Sequence, residues 1–147
     1  MKAAAAASPA TASVPVAGSV VAGFPSPAEQ YLEPPLDLND LLVKRPAATF
    51  FVRVEGDSMI GAGIHDGDLL VVDRSLSPAS GSVVIACLDG EFTVKRLVFD
   101  SPIRGGRAAM RLVPENPRYP EIAVTAGHEM SVFGVVTACI HSFAARL

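Results

Sequence analysis

From Thr49 onward the chain is a succession of short β-branched or apolar runs, and their spacing constrains the fold more than any other feature. The runs fall at 49–54, 68–73, 82–88, 91–99, 108–113, 121–124 and 131–140. Between them stand Gly61 and Gly63, Gly67, Ser80-Gly81, Asp89-Gly90, Gly105-Gly106, Asn116-Pro117 and Ala126-Gly127, residues that accept or impose the dihedrals of turns. Asp89-Gly90 is the sharpest of these: two residues between two strands, both tolerant of positive φ, specify a type I′ hairpin. Seven strands at this spacing predict a mainly β fold, a small curled antiparallel β-domain. Upstream, Asp37-Leu38-Asn39-Asp40-Leu41-Leu42 predicts one short helix with Asp37 as its N-cap, which Pro46 keeps from running on.

Residues 1–22 contain no Asp or Glu, a single Lys, and mostly Ala, Ser, Val and Pro. That composition predicts a flexible N-terminal arm, extended near its prolines. Val20-Val21 is its order-prone piece, able to add to a sheet edge. The expected organisation is therefore an arm over 1–22 and a β-rich domain over 23–147. Met1-Lys2 followed by alanines has the outline of an export signal, but Pro9, Pro15 and several Ser/Thr interrupt it. A leucine-rich core of about 7–15 residues is missing, and the apolar stretches fall short of the ~18 residues that span a bilayer. A cytoplasmic, non-membrane protein is expected.

Hydrophobic residues make up 50% of the chain, enough for a core, and charged residues only 18%, below the roughly 25% usual for globular proteins. Such a surface predicts apolar area hidden in an oligomer. A net charge of −3, with no Lys/Arg cluster longer than two residues, argues against a phosphate-binding face, so direct DNA binding is not expected. Cys87 and Cys139 lie far apart in apolar segments without a C-x-x-C. They read as two buried thiols in a reducing compartment rather than a disulfide.

Three features carry chemistry. Gly56-Asp57-Ser58-Met59 follows a strand and precedes glycines. Ser58 thus sits on a turn with exposed backbone N–H groups, which suits a nucleophile and an oxyanion hole, with Asp57 and Met59 supporting the turn. Taken alone, Gly-Asp-Ser is also ordinary turn chemistry. The second feature is Lys95, in the alternating run Glu91-Phe92-Thr93-Val94-Lys95-Arg96-Leu97. Adjacent Lys95 and Arg96 point to opposite faces. If both faces are covered, one cation meets apolar surroundings, and an unpaired buried ammonium loses its proton readily enough to act as a base. Otherwise Lys95 snorkels to solvent and Arg96 is the pairing residue; spacing leaves both open. The third is the small-residue bond Ala22-Gly23 within Val20-Val21-Ala22-Gly23-Phe24. Together they describe a Ser-Lys protease that cuts its own arm.

Competing constellations are weaker. Gly56-Asp57-Ser58-Met59-Ile60 lacks the second glycine of G-x-S-x-G. His65, His128 and His141 read as surface or satisfied histidines. Asp66, Asp68 and Asp73 bracket a strand without metal-ligand spacing or a partnering His/Cys cluster, so no metal and no cofactor are expected. Gly61-Ala62-Gly63 is too short for a phosphate loop.

The ordered set Gly23-Phe24-Pro25-Ser26-Pro27-Ala28-Glu29, Gly56-Asp57-Ser58-Met59-Ile60, Asp66-Gly67-Asp68-Leu69-Leu70-Val71-Val72-Asp73 and Asp89-Gly90-Glu91-Phe92-Thr93-Val94-Lys95 resembles the UmuD-type SOS-mutagenesis proteins. These are relatives of the self-cleaving LexA-like serine peptidases. Leu112-Val113-Pro114-Glu115-Asn116 and Val132-Phe133-Gly134-Val135-Val136 fit the same pattern. The resemblance implies a LexA/signal-peptidase-like β-rich homodimer in which Ser58 is the nucleophile, Lys95 the general base and Ala22-Gly23 the scissile bond. It further implies stimulation by RecA on single-stranded DNA, and a shortened product that joins UmuC as accessory subunit of the error-prone DNA polymerase V.

Three departures bear on this. Ala-Gly stands at the cut, as in LexA-type repressors, where the best-known relative has Cys-Gly, and Ala17-Gly18 is a second candidate bond upstream. The stretch 99–108 looks like a longer loop than usual. A LexA-like repressor would need a DNA-binding domain, which 22 acid-free residues cannot form, and a type I signal peptidase would need a membrane anchor. The rival of a different class is a non-catalytic β-domain binding module that controls a polymerase through its arm.

Overall fold

Strand β5 (Val83–Leu88) shows how the sheet is organised. Val83 and Ile85 face one apolar cluster, while Val84, Ala86 and Leu88 face another. A strand alternates its side chains, so an unbroken apolar run such as Val83-Val84-Ile85-Ala86-Cys87-Leu88 belongs where both faces are covered. The computed structural model describes residues 12–23, 33–101 and 109–147. Of these, the residues up to Lys44 form one compact unit and those from Arg45 onward a second.

In the first unit β1 (Val14–Val16) pairs antiparallel with β2 (Glu33–Leu36), Val14 opposite Leu36 and Val16 opposite Glu33. Both strands contain proline, which a two-stranded ribbon tolerates because each strand is an edge. The ordered piece of the arm is therefore Val14–Val16 rather than Val20-Val21, which are exposed and outside any strand. Helix α1 (Leu38–Leu42) follows, and Asp37 caps it as expected by accepting the Asn39 N–H at 2.9 Å.

In the second unit β3 (Thr49–Arg53), β4 (Leu69–Asp73), β5, β6 (Glu91–Phe99), β7 (Met110–Val113), β8 (Ile122–Val124) and β9 (Met130–Ile140) form one sheet. All neighbours are antiparallel, in the order β3-β4-β9-β5-β6-β7-β8. Each of the seven apolar runs supplies one strand. Leu88 pairs with Glu91 across Asp89 (φ 50°) and Gly90 (φ 84°), the two positive dihedrals of a type I′ turn. Strand β9 is held between β4 and β5, and its register slips by one residue against each; such bulges add the twist that curls a sheet.

One core cluster gathers Val54, Met59, Ile64, Leu70, Val72 and Ile85, and the other Val84, Ala86, Leu97 and Leu112. Each fully buried Leu or Val contributes about 1.5–3 kcal/mol. Met59 and Ile64 come from the loop between β3 and β4, so that loop is anchored to the core by its own side chains. The cysteines depart from expectation: both are free, but Cys87 is half-buried and Cys139 exposed. Gly105-Gly106, Phe24, Pro25 and Pro27 fall outside the described residues, as does most of the 99–108 loop.

Candidate active site

The loop from Val54 to Asp68 is closed at its base by two backbone bonds, Val54 N–H to Asp68 carbonyl at 2.9 Å and Gly67 N–H to Val54 carbonyl at 2.8 Å. Gly56 N–H donates to the Asp66 carboxylate at 2.7 Å. Within this frame Met59 is 2% exposed and plugged into the core, which fixes the residue beside it, half-buried Ser58. The N–H groups of Ser58 and Met59 donate to no acceptor among the described residues. Asp57 is held rather than exposed: its carbonyl accepts from Asn116 Nδ2 at 2.9 Å and its carboxylate from the Tyr119 hydroxyl.

Lys95 reaches this loop from β6. Thr93, Lys95 and Leu97 share one face of the strand, and Val94 and Arg96 the other. The alternatives left open by spacing resolve in one direction. Arg96 takes the ion pair, with Glu115 at 2.5 Å, and a bond to the Gly81 carbonyl. Lys95 is 8% exposed, and among the described residues it pairs with no carboxylate. Its Nζ lies 3.0 Å from Ser58 Oγ, 2.9 Å from Thr93 Oγ1 and 3.0 Å from the Val94 carbonyl. Burial pushes its pKa below the ordinary lysine value, because removal from water penalises the charged form.

The segment after β7 holds the two halves together. Glu115 N–H donates to the Ser58 carbonyl at 2.8 Å, and the Glu115 carbonyl accepts from Gly61 N–H at 2.7 Å, while its side chain grips Arg96 of β6. A Cβ on Gly61 would stand 2.6 Å from the Glu115 carbonyl oxygen, so the close approach of the two loops requires glycine there. Glu115, Asn116, Tyr119 and Thr93 are thus parts of the site that sequence reading leaves unassigned. Only Thr93 carried a signal, standing two residues before Lys95 on its face. Beside Gly61, Pro114, Asn116 and Tyr119 line an open cleft of about 430 Å³.

Ala22 and Gly23 are exposed and belong to the first unit, as does the alternative bond Ala17-Gly18, which follows β1. His128 sits at the surface against Asp89 at 2.9 Å. His65 and His141 also lie at the surface, but both approach the buried Asp68, which sequence reading leaves without a histidine partner. The partner that Asp68 lacks along the chain comes from the register of β4 with β9, where Leu69 faces Ile140, placing the next pair, Asp68 and His141, side by side. Cys139 Sγ, 3.2 Å from Asp68 Oδ2, has its pKa pushed up to about 12 by desolvation and by that carboxylate.

The model of the family described as Peptidase S24-like matches residues 15–137. The chain is 52% identical over 120 residues to Protein SamA of Salmonella typhimurium, covering 82% of this chain and 79% of that protein. It is 50% identical over 124 residues to Protein ImpA of Escherichia coli (82% and 77%) and 45% identical over 119 residues to Protein MucA of Escherichia coli (80% and 77%). Among the described residues, no helix is long and apolar enough to cross a membrane.

Proposed function

The chain belongs to the S24-like family of self-cleaving serine peptidases, alongside the UmuD-like SOS-mutagenesis proteins, and from that premise we propose that Ser58 and Lys95 form a nucleophile–base pair that cuts its own Ala22-Gly23 bond. The observation that carries this reading is the 3.0 Å approach of the buried Lys95 amine to Ser58 Oγ, with no acid to hold the proton on it among the described residues. A neutral amine has two N–H donors and one lone pair. The surroundings offer a counterpart for each: the Val94 carbonyl and Thr93 Oγ1 accept, and the Ser58 hydroxyl donates.

In the first step Lys95 takes the Ser58 proton as Oγ attacks the Ala22 carbonyl carbon, and the backbone N–H groups of Ser58 and Met59 receive the oxyanion. The resulting ammonium gives its proton to the Gly23 nitrogen as the peptide bond breaks. Water, deprotonated by Lys95 in turn, then attacks the Ala22 ester, and Lys95 returns that proton to Ser58 Oγ as the ester bond breaks. The products are the peptide 1–22 and a chain over 23–147. Asp57 and Met59 support the turn, the first through Asn116 and Tyr119, the second through the core.

RecA on single-stranded DNA would favour the state in which the arm is docked and Lys95 is neutral, a shift of population rather than a supply of catalytic groups. The cut chain would then join UmuC as accessory subunit of the error-prone DNA polymerase V. A homodimer is part of this reading, and the exposed aromatic side chains of Phe50 on the edge strand β3 and of Phe92 on β6, both packed edge-on against Phe133, support a covered face. Intact-mass spectrometry tests the whole: incubation with RecA, single-stranded DNA and ATP should yield a product beginning at Gly23. Ser58→Ala and Lys95→Ala should stay uncut. A chain that remains whole under RecA and at alkaline pH would reassign the fold to a non-catalytic binding module.

A further inference from the structure

We infer that His65, Asp68 and His141 form a binding site for one divalent transition-metal ion of the zinc type. One nitrogen of each imidazole and one carboxylate oxygen all lie within 4.8 Å of one another. Asp68 is 2% exposed. His141 Nδ1 is 2.5 Å from Asp68 Oδ1, and His65 Nδ1 is 3.7 Å from Asp68 Oδ2. The two rings lie against each other with centroids 4.7 Å apart.

The second observation is an orphan. His65 Nδ1 is buried and has no hydrogen-bond partner among the described residues, although it lies 3.7 Å from a carboxylate oxygen of Asp68. A buried polar atom without a partner costs free energy. A distance of 3.7 Å is too long for a hydrogen bond, but it matches two ligand atoms on one ion. With metal–ligand bonds of about 2.0–2.1 Å and tetrahedral angles, two ligands stand about 3.3 Å apart. An ion in this gap would satisfy His65 Nδ1 and require the close contact of His141 with Asp68 to open by less than an ångström.

The donor set selects the metal. Two imidazoles and a carboxylate suit zinc and its neighbours, whereas magnesium and calcium prefer oxygen alone. Three protein ligands leave a fourth position for water. Asp68 is already oriented as a ligating carboxylate usually is: its Oδ2 accepts from the His65 backbone N–H at 2.7 Å and from the Cys139 thiol at 3.2 Å.

The place of the site gives it a consequence. It would tie the turn at 64–68 to the end of β9. Asp66 of the same turn holds Gly56 N–H, two residues before Ser58. The ion would therefore brace the far end of the serine loop without touching Ser58 or Lys95.

The test is equilibrium dialysis of the untagged full chain against zinc, with bound metal counted by mass spectrometry and melting followed in parallel. The expected result is one zinc per chain and a raised Tm, with no uptake of magnesium. His65→Ala and His141→Ala should each weaken zinc binding tenfold or more, and His128→Ala should leave it unchanged. His65→Ala is the decisive variant, because the Nδ1 atom it removes makes no hydrogen bond among the described residues, and a circular dichroism spectrum like that of the parent chain shows that the fold survives the loss of the ring. Sub-stoichiometric zinc, or zinc held equally well by His65→Ala, would overturn the proposal.

Discussion

Lys95 and Asp73 are both charged residues buried by the same sheet, 8% and 4% exposed, and their surroundings treat them in opposite ways. Asp73, at the end of β4, accepts from the Ser75 hydroxyl and its N–H and from the Arg45 guanidinium at 3.0 Å. Those bonds, Ser75 first, hold its carboxyl below the usual aspartate range. Lys95 has only neutral neighbours among the described residues, and burial alone lowers its pKa. The two shifts share a direction and mean opposite things. A lowered carboxylate is more firmly charged, and a lowered lysine is nearer to neutral. One burial keeps a charge in place, and the other brings an amine nearer to its neutral form.

The strongest way to break this contrast is to remove either member of the pair. Ser58→Ala and Lys95→Ala should each reduce self-cleavage by about 10⁴-fold or more, read as the fraction cut by intact mass, while Ser58→Ala keeps its circular dichroism. Gly61→Ala should come next. Its methyl would stand 2.6 Å from the Glu115 carbonyl and push the serine loop out of register, lowering the cleavage rate by roughly 10²-fold with Ser58 and Lys95 both present. Thr93→Val sharpens the comparison. It removes an acceptor that stabilises the ammonium, so the midpoint of cleavage against pH should move lower while the plateau rate falls about tenfold, the scale of one hydrogen bond to a charged group.

The smallest effects are on stability, and they should differ in sign. Lys95→Met replaces an unpaired buried charge by an apolar chain of similar volume and should stabilise by about 1 kcal/mol near neutral pH, while abolishing cleavage. In the parent chain the unfolded state holds the Lys95 proton to about pH 10.4 and the folded state releases it earlier. Stability therefore rises with pH across that window, and Lys95→Met should lose the rise in a series of melts. Asp73 gives a slope of the same sign in the acid range, but stabilises by staying charged. Its contribution is present above the ordinary aspartate pKa of about 3.9 and is lost as pH falls through the lower folded value. Asp73→Asn should thus lower Tm near neutrality and flatten the acid limb.

Legibility in the sequence follows the range of the interaction. The seven strands of the sheet, the Asp89-Gly90 turn and the Asp37 cap depend on neighbours within a few residues, and all are where the pattern puts them. The choice of Lys95 over Arg96 as the buried cation depends on Glu115, nineteen residues away, and alternation alone could not make it. Asn116 and Tyr119 hold Asp57 from 59 and 62 residues off, and His141 meets Asp68 across 73. Such pairs are created by strand register, which a hydrophobic pattern fixes only to within a slip. In the arm the pattern failed locally, choosing Val20-Val21 where Val14–Val16 found a partner in Glu33–Leu36.

Lys95 can serve as a base only as an unpaired buried amine that gives up its proton easily. Its titration can be followed directly by nuclear magnetic resonance of the lysine side-chain amines in the Ser58→Ala chain, with Lys95→Arg identifying the signal. A midpoint clearly below about 10.4, apart from the other lysines, is the predicted result. A midpoint at or above that value would contradict lysine as the base.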